Sequence, residues 1–212
     1  MVKIFKNLFI LDSFKSKFNQ LIPQLCGLVM ENDNSSISTA SIQALTIICQ
    51  DHTENCQTAL NCGFLSYILE LMVNNTDYQI SDLTGILVSL SSEHSVKEFL
   101  KETNCLQILL RFLYNEDNQV RADVLKIFSN LSTEPYWSEM IINSGEVTQI
   151  IEWCTSGHPH VQKNSILLLG NLSSEYENKE ILSSIDGFIS TMINLFNSPD
   201  QGVFFLQCNI YL

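Results

Sequence analysis

Apolar residues return along this chain at helical spacing, in short segments divided by polar breaks, and the segments themselves return in a fixed order. Leu21 to Met30, Phe64 to Val73, Cys105 to Tyr114, Glu146 to Cys154 and Phe188 to Phe196 are segments of one kind. Set in register, they place Ile22, Leu65, Leu106, Val147 and Ile189 in one column. Leu25, Ile68, Leu109, Ile150 and Met192 form the next, and Cys26, Leu69, Leu110, Ile151 and Ile193 a third. Columns at i, i+3 and i+4 mark one helix face, and a face this broad predicts a helix sandwiched between neighbours. A polar break follows each segment, and Pro159 and Pro199 in two of these breaks suit the first turn of the next helix. That helix is longer, with columns at Ile42, Leu83, Val124 and Ser165, then Leu45, Ile86, Ile127 and Leu168, then Cys49, Leu90, Leu131 and Leu172. A shorter helix completes the unit, with Ala59, Leu100, Ile141 and Leu182 on its apolar face. Gly63, Gly145 and Gly187 are expected to close it in the left-handed conformation, and Asn104 takes that place in the remaining unit.

The end of the long helix shows the period most plainly. Leu168-Leu169-Gly170-Asn171-Leu172-Ser173-Ser174-Glu175 is preceded 41 residues earlier by Ile127-Phe128-Ser129-Asn130-Leu131-Ser132-Thr133-Glu134. A further 41 earlier stands Ile86-Leu87-Val88-Ser89-Leu90-Ser91-Ser92-Glu93, and before that a degraded copy from Leu45 to His52. A fixed period of this length is the signature of a repeat solenoid. We expect a single array over 1–212: a partial repeat at 1–10, repeats near 11–52, 53–93, 94–134 and 135–175, and an incomplete one at 176–212. Lys3 to Leu8 echoes Lys126 to Leu131 in phase, so the chain is expected to start inside a repeat. The apolar run from Val203 to Leu212 is expected to be an unfinished long helix without a polar cap, which a solenoid end requires. On that reading the chain is a piece of a longer array and a monomer, unless the uncapped end pairs with another chain.

Three helices per repeat, in the order short, apolar, long, resemble the armadillo repeat. Ile22-Pro23-Gln24-Leu25-Cys26-Gly27-Leu28-Val29 is similar to that family's second helix, and Ile127 to Ser132 and Leu168 to Ser173 to its third. The resemblance covers essentially the whole chain. It implies an all-α, right-handed superhelix of stacked units, four to five in number, with the third helices lining a concave groove.

The charge then narrows the choice of partner. Eleven basic against 23 acidic residues leave a net charge of −12, which excludes a phosphate-binding basic patch and favours positively charged partners. From Phe18 to Val96 there is no Lys or Arg, against eight acidic residues. Seven cysteines form no CxxC pair, and several fall at apolar positions as small hydrophobes, so a reducing compartment is expected, cytoplasmic or nuclear. No apolar run reaches the roughly 18 residues of a membrane helix. The glycosylation triplets at Asn34, Asn74, Asn130 and Asn171 are taken as coincidence.

No phosphate-cradling glycine loop, GxSxG or HExxH is present, so neither an enzyme nor a cofactor is expected. Cys154, His158 and His160, and Cys49, His52, Cys56 and Cys62, are poor metal sets, because Cys49 and Cys154 belong to apolar columns. Trp137 and Trp153 read as packing or edge residues. Carried over position by position, the resemblance gives a partner-binding groove of Asp82, Ser89 and Glu93, then Asp123, Lys126, Asn130 and Glu134, then Asn164, Asn171 and Glu175. Groove Asn side chains can bond both the N–H and the C=O groups of an extended peptide. Glu93, Glu134 and Glu175 have two readings. They precede a helix whose N-terminus welcomes negative charge, and they form a row of acceptors for a basic ligand.

The expected function is a non-enzymatic scaffold binding a basic segment of a protein partner. Loosely, the chain resembles the small-GTPase GDP-dissociation stimulators, through its acidity and the segment Val147 to Cys154. That implies a GTPase partner with a polybasic tail. The alternatives are a peptide-docking adaptor of catenin or vacuolar type and, less favoured, a nuclear import carrier. Import receptors carry Trp four residues before the groove Asn, where this chain has Ala44, Gly85, Lys126 and Leu167.

Overall fold

The structure, a computed structural model, describes residues 15–31, 35–74 and 80–197. The partial unit at 1–10, Asn34, Pro199, Cys208 and the run Val203 to Leu212 lie outside the described residues. The chain divides into two compact units, 1–114 and 115–212.

Among its described residues the first unit holds a 3-10 turn (Ser16–Leu21) and seven helices: α1 (Ile22–Met30), α2 (Ser35–Cys49), α3 (Thr53–Asn61), α4 (Phe64–Asn74), α5 (Ile80–Leu90), α6 (His94–Lys101) and α7 (Cys105–Leu113). The described residues of the second hold six: α8 (Asn118–Leu131), α9 (Pro135–Ile142), α10 (Val147–Trp153), α11 (Pro159–Leu172), α12 (Tyr176–Ser184) and α13 (Phe188–Phe196). All thirteen fall where the apolar period predicts them, in the order short, apolar, long.

Packing follows the columns. In the first unit α2 lies against α1 and α5, burying Ile42, Leu45, Cys49, Leu83 and Ile86 completely. In the second unit α8 and α11 form the most extensive pairing, with α10 and α9 also on α11. Val124, Ile127, Leu131, Leu168 and Leu172 are fully buried there. Each such side chain contributes about 1.5–3 kcal/mol relative to exposure, so the long helices anchor their unit. The columns depart from expectation in α13, where Met192 is buried but Ile189 and Ile193 are 42% and 50% exposed. No described helix lies beyond α13 to cover them.

The helix ends match the predicted chemistry with one exception. Gly145 precedes α10 at φ +86°, the left-handed region that costs a side-chain-bearing residue about 1–2 kcal/mol. Gly63 and Gly187 are left-handed at the same place in their repeats. Asn104, expected to join them, sits at φ −85° and ψ 35°. There the chain leaves α6 through tight turns, Glu102 N–H donating to Phe99 O and Thr103 N–H to Leu100 O, both at 3.2 Å. A β-carbon is thereby spared the left-handed strain. Pro159 occupies the first turn of α11, as expected. No single described helix is long and apolar enough to cross a membrane.

Candidate functional site

The groove candidates sit on the long helices α5, α8 and α11 and the turns that follow them. In the first unit Asp82 accepts a hydrogen bond from Gln43 Nε2 at 3.1 Å, which joins α5 to α2. Ser89 is buried, and its hydroxyl turns back to Gly85 O at 3.5 Å.

In the second unit Asp123, Lys126 and Asn130 rise at i, i+3 and i+7 on α8, all half-buried. Asp123 Oδ1 accepts from Gln119 Nε2 at 2.7 Å. Asn164 and Asn171 stand two turns apart on α11, also half-buried. Asn164 Nδ2 donates to Ala122 O at 2.7 Å. Asn171 Nδ2 donates to Ser129 O at 2.7 Å, with Ser129 Oγ and Ser132 Oγ each at 3.3 Å. The two amides therefore clip α11 to α8, each through its nitrogen.

Glu93, Glu134 and Glu175 occupy the N-cap positions of α6, α9 and α12 in extended backbone conformation. None uses its carboxylate to cap the first turn. Their backbone carbonyls do take part, Lys97 N–H donating to Glu93 O at 3.0 Å and Ser138 N–H to Glu134 O at 3.1 Å. His52 holds the same position ahead of α3 and does cap with its ring, Nδ1 accepting from Asn55 N–H at 3.3 Å. That leaves Nε2 as the proton-bearing nitrogen, 3.1 Å from Ser16 Oγ. His158 Nδ1 likewise accepts from Val161 N–H at 3.5 Å at the start of α11. Both histidines thus act as helix caps.

The cysteines read as core. Burial pushes the Cys26 thiol up to about 12, the neighbouring Cys62 adding to it, and burial pushes Cys105 up to about 12. Cys154 is raised by burial and donates to Ile150 O at 3.5 Å. Cys49 is raised by its hydrogen bond with Cys56 and by burial. Trp137 is buried, edge-on to Tyr136 at 5.3 Å, and Trp153 lies under the Arg121 guanidinium at 5.3 Å.

Two polar residues escaped the sequence reading. Asn55 and Asn178, 0% and 6% exposed, sit in the first turns of α3 and α12. Asn55 Nδ2 donates to Ile48 O at 2.9 Å and Lys15 O at 3.2 Å. Asn178 Nδ2 donates to Ser138 Oγ at 2.8 Å and Leu172 O at 3.0 Å. Each ties a short helix to the long helix before it and to the preceding repeat. Their separation of 123 residues, three repeats, is the signal that could have found them.

No protein-family model matches the chain. Among curated proteins it is similar to U-box domain-containing protein 45 of Arabidopsis thaliana, 20% identical over 178 residues that make up 84% of this chain and 23% of that protein. The chain thus spans about a quarter of that relative's length. Three designed proteins share its fold. A designed armadillo repeat protein in complex with the peptide (KR)4 aligns with a TM-score of 0.80 at 15% identity, over 97% of this chain and 90% of that one. The designed armadillo repeat protein YIII(Dq)4CqI gives 0.81 at 16%, over 97% and 90%. Computationally designed armadillo repeat proteins for modular peptide recognition give 0.76 at 15%, over 96% and 91%. The fold is of the armadillo type, all-helical and built from three-helix repeats.

Proposed function

We propose that this chain is a non-enzymatic protein-binding scaffold whose long-helix faces hold a basic, extended segment of a partner. The observation that carries the reading is the α8–α11 pair. Asn164 and Asn171 each turn an amide N–H inward, to Ala122 O and Ser129 O, and Asp123, Glu134 and Glu175 set three carboxylates against Lys126, so acceptors outnumber cations among the groove positions. Acceptors select donors, and the densest donors on a protein are Lys and Arg. The net charge of −12 favours the same partner from a distance. A designed protein of this fold was solved with a peptide of alternating Lys and Arg, which is the ligand chemistry proposed here.

The acidic N-caps serve two ends at once. A carboxylate before a helix is favoured by the dipole, which accounts for its recurrence without a ligand. Glu93 and Glu175, neither used as a side-chain cap, can also meet a basic segment. Charge reversal separates the two roles. The combined variant Glu93→Lys, Glu134→Lys, Glu175→Lys should weaken binding of a (KR)4 peptide at least about ten-fold, a charge-dependent loss. Unchanged affinity would reduce the column to helix-end polarity.

Within this reading a small GTPase with a polybasic tail is the finer candidate. A scaffold can speed nucleotide release without catalytic residues, by binding one conformation of the GTPase more tightly than the other. A nucleotide-release assay over a panel of small GTPases tests it, and no acceleration for any member would leave the general peptide-docking adaptor.

A further inference from the structure

A cleft of about 390 Å³ opens within the second unit, between the short helices α9 and α12. It lies off the long-helix face. Its apolar lining is Pro135, Ile142 and Ile181, and its acidic lining is Glu139, Glu175 and Glu177. None of these carboxylates has an ion pair or a side-chain hydrogen bond with a described residue. Asn178 also lines the cleft and is 6% exposed. Its amide nitrogen is spent on Ser138 and Leu172, which leaves Oδ1 as an acceptor without a partner among the described residues.

We propose that this cleft seats a cationic side chain of a protein partner, an arginine or a lysine. The apolar lining suits a methylene stem, which lies on hydrocarbon while its charged head reaches out. The three carboxylates and the Asn178 oxygen then supply several acceptors for one head group, a match for the five N–H donors of arginine. An anion would meet three carboxylates, and a purely apolar side chain would cover the Asn178 oxygen without satisfying it. The cleft shares only Glu175 with the long-helix reading, and its test leaves that residue untouched.

The test uses the isotope-labelled full chain, titrated with acetyl-Gly-Arg-Gly-amide and with the uncharged citrulline isostere. The expected result is saturable NMR shifts at Asn143, Asn178 and Ile181, with the isostere about ten-fold weaker because a charged donor makes the stronger hydrogen bonds. The double variant Glu139→Gln, Glu177→Gln, two exposed positions, should abolish those shifts while keeping the wild-type melting temperature. Equal response to both probes, shifts confined to other residues, no saturable shift, or undiminished binding by the double variant would each overturn the assignment. A (KR)4 peptide that still binds the double variant in undiminished amount supports the long-helix reading whatever the cleft does.

Discussion

Gly85 and Gly145 show how far a single residue's effect depends on backbone rather than on space. A β-carbon at either meets no atom within 4 Å. Gly145 is left-handed at φ +86°, whereas Gly85 lies within helix α5. Gly145→Ala should therefore destabilise the protein by about 1–2 kcal/mol, and Gly85→Ala should stabilise it by about 1 kcal/mol. Urea unfolding of the two variants checks the pair of signs. The buried thiols give a second expectation at this scale. Cys26 and Cys105 are both raised from an ordinary value near 9 to about 12, chiefly by burial. A group raised in the folded state favours folding fully below its unfolded pKa and loses that contribution as pH climbs through the folded one. Stability should thus fall between pH about 9 and about 12, and less steeply in the double variant Cys26→Ala, Cys105→Ala. Urea midpoints at a series of alkaline pH values would show it, and parallel curves for both proteins would contradict it.

Among the elements, helix order was legible because burial on one face leaves an i, i+3, i+4 trace that survives divergence of the side chains. Leu45, Ile86, Ile127 and Leu168 differ in shape, yet each is fully buried. Hydrogen-bond commitments left a weaker trace. Asn171 was read as a peptide-holding residue, and its donors instead reach Ser129 and Ser132 one repeat away. That choice depends on how neighbouring repeats are registered, which residue type alone does not encode. Asn104 marks a similar limit, since a tight turn and a left-handed residue are alternative exits from the same helix. Because the clips hold α11 to α8, Asn164→Ala and Asn171→Ala should each cost about 0.5–1.5 kcal/mol, the usual net contribution of one hydrogen bond. Thermal melts would measure it, and wild-type stability in both variants would show the clips to be incidental.

For the molecule as a whole, the armadillo-type fold and the acidity are firm, and the partner is the inference that joins them. The fold was legible from the 41-residue period together with the order of helices within it, whereas the cleft between α9 and α12 was not. Its linings come from two repeats, with Glu139 and Ile142 on one helix and Glu177 and Ile181 on another, and only packing brings them to a common opening. A scaffold that recognises its ligand by negative charge must release it as salt screens that charge. The most direct test is the affinity of the intact chain for a (KR)4 peptide across a sodium chloride series. Between about 50 mM and about 500 mM salt, affinity should fall at least about ten-fold, as the screening length shrinks to a few ångströms. Affinity that stays level across the series, or no binding at the lowest salt, would contradict the claim that this chain is a scaffold for basic segments.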